Sequence, residues 1–277
     1  MRWFRELHQG DSGGYWEGHS AAYRLALGGR MCAAFGARRS MPRFASLTDD
    51  IARSHVAAHY VFHQLSKLKR ISLHENNLVG TMPRSFYNLS SLEEVFLNNN
   101  IRLTGRLPIN IGLMQPHLYL LSLSDNHFTG SIPPSLLNSL GVLDVARNNF
   151  SGKLVITSRK ICKLTTVSLS STNFGSGEDD DELMKFIDGL SICKNLGLLD
   201  LSYNRMRGFL PDSLGNLSAS LYHLSVSSNL IQGSLPPSIC SLINLTHLGM
   251  SDNIFSGIIP NCLGNISRLS FLDVNPT

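Results

Sequence analysis

From residue 65 onward, apolar and polar positions follow one order that returns about every 24 residues. It runs Leu68-x-x-Ile71-x-Leu73-x-x-Asn76-x-Leu78-x-Gly80-x-Met82-Pro83. It returns as Leu221-x-x-Leu224-x-Val226-x-x-Asn229-x-Ile231-x-Gly233-x-Leu235-Pro236. The next copy is Leu245-x-x-Leu248-x-Met250-x-x-Asn253-x-Phe255-x-Gly257-x-Ile259-Pro260. Aligning the polar position that closes the apolar run gives Asn76, Asn100, Asn126, Asn148, Thr172, Asn204, Asn229 and Asn253. A period of this length predicts a solenoid of stacked coils, because a single unit cannot bury its own apolar face.

Each position has a predicted role. The alternating apolar pair at the centre of each copy reads as a short strand with two side chains pointing inward and their neighbours facing solvent. The asparagine ends the strand, and its amide is suited to bonding backbone groups of the bend, so stacked copies form a ladder. The glycine permits a tight turn. An apolar-Pro pair then leads the chain into the convex side and ends any strand there. These pairs are Met82-Pro83, Leu107-Pro108, Ile132-Pro133, Leu210-Pro211, Leu235-Pro236 and Ile259-Pro260. A fully buried leucine contributes roughly 1.5–3 kcal/mol, so a continuous column of them offsets chain entropy.

The regularity of the repeats breaks at two places. The fourth copy ends in Leu154-Val155 without proline and runs through Ser158-Arg159-Lys160. The fifth carries Thr172 for asparagine and Ser176 for glycine. It continues through an acidic run, Glu178 to Glu182, before Leu183-x-x-Phe186-Ile187-x-x-Leu190 reads as two helical turns. This long unit, residues 164–195, reads as an extended convex helix with a solvated loop; the sharper alternative is an insertion that touches a partner. Residues 1–64 share no period with the rest and form an atypical N-terminal segment, with a helix predicted near 47–64 after Thr48-Asp49-Asp50. The final copy, Leu269-x-x-Leu272-x-Val274, stops inside a ninth unit without a polar cap, so the chain reads as a fragment.

Composition narrows the function classes. The formal charge of +4 is unevenly spread: residues 1–70 carry 11 Lys/Arg against 5 Asp/Glu, and the remainder 13 against 15. A near-neutral repeat region argues against nucleic-acid binding. No run of 18 apolar residues exists, and Arg24 interrupts the only apolar stretch near the start, so neither a membrane span nor a secretory signal is read. Five cysteines (Cys32, Cys162, Cys193, Cys240 and Cys262) are an odd number. They are read as buried thiols in repeat turns rather than a disulfide framework, with Cys162–Cys193 a candidate pair in an oxidising compartment.

The wording L-x-x-L-x-x-L-x-L-x-x-N-x-L-x-G-x-I-P resembles the plant-type leucine-rich repeat. Leu199-Asp200-Leu201-Ser202-Tyr203-Asn204 and Ile259-Pro260-Asn261-Cys262-Leu263-Gly264-Asn265 are typical of that family. So is the irregular unit ending in Ile192-Cys193-Lys194-Asn195-Leu196. Over residues 65–277 the chain is similar to the ectodomains of leucine-rich repeat receptor-like kinases. The resemblance implies a right-handed α/β leucine-rich-repeat solenoid. A curved parallel strand array lies on its concave face, and its convex side is irregular or helical. About eight full repeats and a truncated ninth are expected. It also implies a non-catalytic receptor module in signalling or defence at the plasma membrane or outside the cell. The ligand is a peptide or protein, a co-receptor is a further partner, and no cofactor or metal is expected. A soluble inhibitor of an extracellular enzyme, of the polygalacturonase-inhibitor kind, is the alternative. The family's paired-cysteine cap is missing from residues 1–64, and no Gly-rich phosphate loop, His-Arg-Asp or Asp-Phe-Gly triplet marks a kinase.

Other motifs carry less. Gly10-Asp11-Ser12-Gly13-Gly14 and Ala57-Ala58-His59 echo serine-protease signatures, but no barrel sequence surrounds them to assemble a triad. His55, His59 and His63 share a helical face without an intervening glutamate or a fourth ligand, and read as polar surface. Five glycosylation sequons begin at Asn88, Asn149, Asn216, Asn244 and Asn265; Pro276 excludes Asn275.

Strand alternation places the candidate binding residues. Arg70, Ser72 and His74 face outward in the first repeat, then Glu94, Phe96 and Asn98. Asp144 and Asp200 follow in the fourth and sixth repeats, with Tyr203 at the bend, and His223 and His247 further on. The face is otherwise small and polar, suited to an extended peptide. Phe96 reads as its exposed aromatic anchor. No row combines a nucleophile, a base and an orienting group.

Overall fold

The structure is a computed structural model in which residues 62, 64–157, 162–177 and 181–274 are described. The predicted helix near 47–64 lies almost wholly outside them, as do Cys32, the protease-like motif and the histidine triplet.

Among the described residues a nine-stranded parallel sheet carries one short strand per repeat. Its strands are β1 (Arg70–Ser72), β3 (Glu94–Phe96), β5 (Leu120–Ser122), β7 (Val142–Asp144), β9 (Thr166–Ser168), β10 (Leu198–Asp200), β12 (His223–Ser225), β14 (His247–Gly249) and β16 (Phe271–Asp273). Pairing is in register along the whole array, from Arg70 opposite Glu94 to Gly249 opposite Asp273. The inward residues form the expected columns: Val95, Leu121, Leu143, Val167, Leu199, Leu224 and Leu248 in one, and Leu97, Leu123, Val145, Leu169, Leu201, Val226 and Met250 in the next, all buried.

Between the strand bend and the convex side a second set of strands forms, which the proline argument did not anticipate. One sheet joins β2 (Val79–Thr81), β4 (Arg102–Gly105), β6 (His127–Gly130) and β8 (Asn149–Phe150). Another joins β11 (Arg207–Phe209), β13 (Leu230–Gly233) and β15 (Ile254–Phe255). These strands end before the prolines, so the missing N–H costs no ladder bond. Their core-facing residues include the stacked pair Phe128 and Phe150, with ring centroids 6.0 Å apart. The two flank sheets are separated at the fifth repeat, where only a single bridge, Ser151 to Asn173, continues the pairing.

That repeat holds the convex helix read from the sequence, α4 (Glu182–Leu190), which buries Leu183, Phe186, Ile187 and Leu190. Elsewhere, among the described residues, the convex side holds single turns: α1 (Arg84–Tyr87), α2 (Ile111–Met114) and α3 (Pro134–Leu137), then three 3₁₀ turns beginning at Asp212, Pro237 and Asn261. The fifth repeat has not lost its glycine turn. Gly175, one residue earlier than the pattern position of Ser176, takes φ +72, and a Cβ there would lie 2.5 Å from the Met206 Cα. Both the left-handed backbone and the close approach require glycine.

The cysteines correct the thiol reading. Cys162 bonds Cys193 and Cys240 bonds Cys262, with Cα separations of 4.8 and 5.8 Å. Stacking brings equivalent points of consecutive repeats together, so spacings of 31 and 22 residues become neighbouring positions. Cys162–Cys193 is the pair the sequence offered as a candidate; sequence distance hid Cys240–Cys262.

Candidate functional site

The outward side chains of the nine-stranded sheet form three rows. The first runs Arg70, Glu94, Leu120, Val142, Thr166, Leu198, His223, His247 and Phe271, matched strand to strand. The second runs Ser72, Phe96, Ser122, Asp144, Ser168, Asp200, Ser225, Gly249 and Asp273. Two residues further along each strand, His74, Asn98, Ser124, Ala146, Ser170, Ser202, Ser227 and Ser251 follow. All the outward positions named from alternation therefore lie on one continuous face.

What fixes this face is the ladder beside it. Asn204 Nδ2 donates to the carbonyls of Leu169 at 2.9 Å, Leu201 at 3.1 Å and Ser202 at 3.1 Å. Its Oδ1 accepts from the Phe174 N–H at 3.0 Å and the Thr172 hydroxyl at 2.6 Å. One side chain thus ties two coils together, and Asn100, Asn148, Asn229 and Asn253 repeat the scheme. Buried backbone groups at each bend gain partners they would otherwise lack. Thr172 has a single hydroxyl proton, shared between Asn204 Oδ1 at 2.6 Å and Leu169 O at 2.9 Å, and so occupies its rung with less bonding than an amide. Asn126 has an unpartnered Oδ1. The extra residue Ile101 displaces the preceding bend, where Leu103 N–H bonds Asn100 O at 2.7 Å instead.

The residue before each rung was not singled out by the pattern. Glu75, Asn99, Asp125, Arg147, Ser171, Tyr203, Ser228 and Asp252 all adopt φ between 50° and 58°. From Glu75 to Ser228 their N–H groups reach the next coil, as in Tyr203 to Ser227 O at 2.9 Å. A left-handed non-glycine residue costs on the order of 1–3 kcal/mol, so a whole row of them persists only because the ladder and inter-coil bonds hold it. This bend puts the side chains on the rim of the strand face: Tyr203 is 62% exposed, and Arg147 is paired with Asp125 through Nη2–Oδ2 at 2.6 Å and a contact from Nε to Oδ1.

The charges on the face are unequally satisfied. Arg70 is paired with the half-buried Glu94, and Lys69 lies 2.8 Å from Glu93 in a solvent-exposed pair that adds little stability. Asn98 Oδ1 accepts from Ser122 Oγ at 3.4 Å, and His74 lies half-buried 4.0 Å from Glu75. Asp144 accepts from Ser124 Oγ at 2.8 Å, Ser122 Oγ at 3.3 Å and Ala146 N–H at 3.2 Å. Asp200 accepts from Ser202 N–H at 3.0 Å and Oγ at 2.6 Å. Ser251 donates to Asp273 at 2.6 Å.

Burial pushes the Asp144 carboxyl above the ordinary aspartate range, against the lowering effect of its hydrogen bonds. The folded state then holds the proton longer than the unfolded chain, so ionising Asp144 costs stability as pH rises through its folded value. Asp144→Asn is expected to gain on the parent as pH climbs from about 4, with the gap levelling once Asp144 is ionised. Paired urea titrations across that range check this; a gap that is flat or narrows with pH contradicts it.

Phe96 departs from expectation. It holds its place in the second row, but at 7% exposure it presents no ring to solvent. The rings at the other end are more open. His223, His247 and Phe271 stack in sequence, with centroids 5.6 and 5.8 Å apart, and Phe271 is 42% exposed. Of the sequon asparagines, Asn88, Asn149, Asn216 and Asn265 are exposed, while Asn244 is half-buried and donates to Ala219 O at 2.7 Å.

The family models for leucine-rich repeats match residues 53–101, 117–139, 195–217, 220–242 and 244–266, together just over half the chain. The chain belongs to the leucine-rich repeat family. It is similar to receptor-like protein 41 of Arabidopsis thaliana, 34% identical over 180 residues that make up 64% of this chain and 19% of that protein. The leucine-rich repeat ectodomain of the Arabidopsis receptor kinase HAESA, solved with an N-terminally extended IDA peptide hormone, is similar in structure. The TM-score is 0.63 at 29% identity, covering 77% of this chain and 34% of that one. A HAESA complex with IDA and the co-receptor SERK1 gives a TM-score of 0.58 at 28% identity, covering 76% of this chain and 38% of that one. The leucine-rich repeats described here thus span about a fifth of the length of the receptor-like protein they match.

Proposed function

We propose that this chain is a non-catalytic recognition module, the ligand-reading part of a receptor-like protein in signalling or defence. Its concave strand face binds an extended peptide or protein segment, with a co-receptor as a further partner. One observation carries this reading: a rigid, ladder-held face lined by short polar side chains, with serines in the second row alone at 72, 122, 168 and 225. Such a face offers hydrogen bonds and little side-chain entropy to lose, as recognition of an extended backbone needs. The similarity to ectodomains that hold peptide hormones supports it. The two inter-repeat disulfides support an oxidising, extracellular setting.

The test is selection of a random-sequence nonapeptide library on the immobilised protein. Convergence on related sequences that bind with micromolar or tighter Kd is the expected result. A library that leaves no sequence enriched over an unrelated immobilised protein would contradict the proposal.

A further inference from the structure

The concave face has a charge asymmetry that neither the overall charge of +4 nor the family reveals. Its rows contain no lysine or arginine from Leu120 to Asp273, while Asp144, Asp200 and Asp273 lie in the second row. Arg147, at the rim, is bonded to Asp125 and is also attracted at longer range by Asp144 and Asp200, so one cation already faces these acids from the edge.

Between two of these carboxylates lies Ser168, paired in register with Asp144 on one side and Asp200 on the other. Val167 fills the core, so alternation points Ser168 to the outer face, yet it is only 1% exposed. Its Oγ has no hydrogen-bond partner. An unsatisfied buried hydroxyl costs about 1–3 kcal/mol, so its presence between two acids calls for a partner from outside. Asp144 and Asp200 are two strands apart, a gap of roughly 10 Å. An ammonium brings three donors and no acceptor, which suits two carboxylates and a hydroxyl. One strand beyond Asp200, in the neighbouring row, begins the stack of His223, His247 and Phe271. Flat rings beside a carboxylate suit a guanidinium, which stacks on the ring while bonding the acid.

We infer that the ligand of this face is a basic extended peptide, with a lysine or arginine seated at Asp144–Ser168–Asp200 and a second basic side chain laid on the adjoining rings. The inference rests on the reading of the strand face as a peptide site and gives that site its ligand chemistry. No covalent step is involved. A cation in this place also favours the ionised form of Asp144, which burial opposes.

A positional-scanning library of end-blocked nonapeptides on the full chain tests it. At one position or more, Lys and Arg should exceed Asp and Glu at least about tenfold, equivalent to 1.4 kcal/mol. Asp200→Asn should weaken the best basic peptide by about five- to tenfold and flatten its salt dependence. It should leave unchanged the same peptide with norleucine in place of the basic residue. Ser168→Ala should weaken the lysine peptide about threefold. Peptides that bind the face yet show no basic preference, or ignore Asp200→Asn, overturn this inference and leave the peptide-site reading standing. A library in which nothing is retained overturns both.

Discussion

Asn204→Ala is expected to cost about 3–5 kcal/mol of unfolding free energy, and Asn126→Ala less by roughly 1–3 kcal/mol. The two side chains occupy equivalent rungs, and each donates to three carbonyls. They differ at the acceptor. Asn204 Oδ1 receives the buried Phe174 N–H, so alanine leaves that donor without a partner. Asn126 Oδ1 receives nothing, because the extra residue Ile101 has moved the matching N–H to Asn100 O. The difference reports that orphaned backbone group together with the Thr172 hydroxyl bond that Asn204 Oδ1 also accepts. Chemical denaturation of both variants measures it, and equal losses would show that the ladder works only through its amide donors.

Leu201→Asp is expected to be worse, removing on the order of 5 kcal/mol or more and unfolding the neighbouring coils. Leu201 is fully buried in a column between Leu169 and Val226. A carboxylate there has neither water nor cation, and protonation relieves only part of the penalty. Because each coil rests only on its neighbours, loss of one contact layer propagates along the stack. Leu198, three residues earlier and half-buried on the outer face, provides the control: Leu198→Asp should change stability by no more than about 0.5 kcal/mol. Thermal unfolding decides. Similar melting for parent and Leu201→Asp, or a collapse with Leu198→Asp, would reverse the assignment of inner and outer faces.

The strand register was legible because period-two alternation is a local property: once Leu199 and Leu201 point inward, Leu198 and Asp200 must point outward. The ladder was legible for the same reason, since its asparagines recur at a fixed distance from those leucines. What stayed hidden depended on contacts between coils. Cys240 and Cys262 are 22 residues apart and meet only through stacking. The left-handed row holds Glu75, Arg147 and Tyr203, which share no chemistry, because the bend is imposed by bonds to the next coil rather than by the residue itself. Gly175 was missed because one displaced residue moves the turn off the pattern position. Phe96 was misjudged because alternation gives the direction of a side chain and says nothing of what lies over it. Alternation puts Asp144 and Asp200 on the face, but that the two, 56 residues apart in sequence, flank one buried Ser168 follows only from the strand pairing.

A pair of engineered glycans tests most directly whether recognition belongs to the concave face. Ser225→Asn completes a sequon with Val226 and Ser227 in the middle row of that face, on its seventh strand. Gln232→Asn completes one with Gly233 and Ser234 on the flank strand β13. With both variants glycosylated and folded, peptide binding measured by titration calorimetry should be abolished by the first and unchanged by the second. Full binding with a glycan at position 225, or its loss with a glycan at 232, would contradict the account.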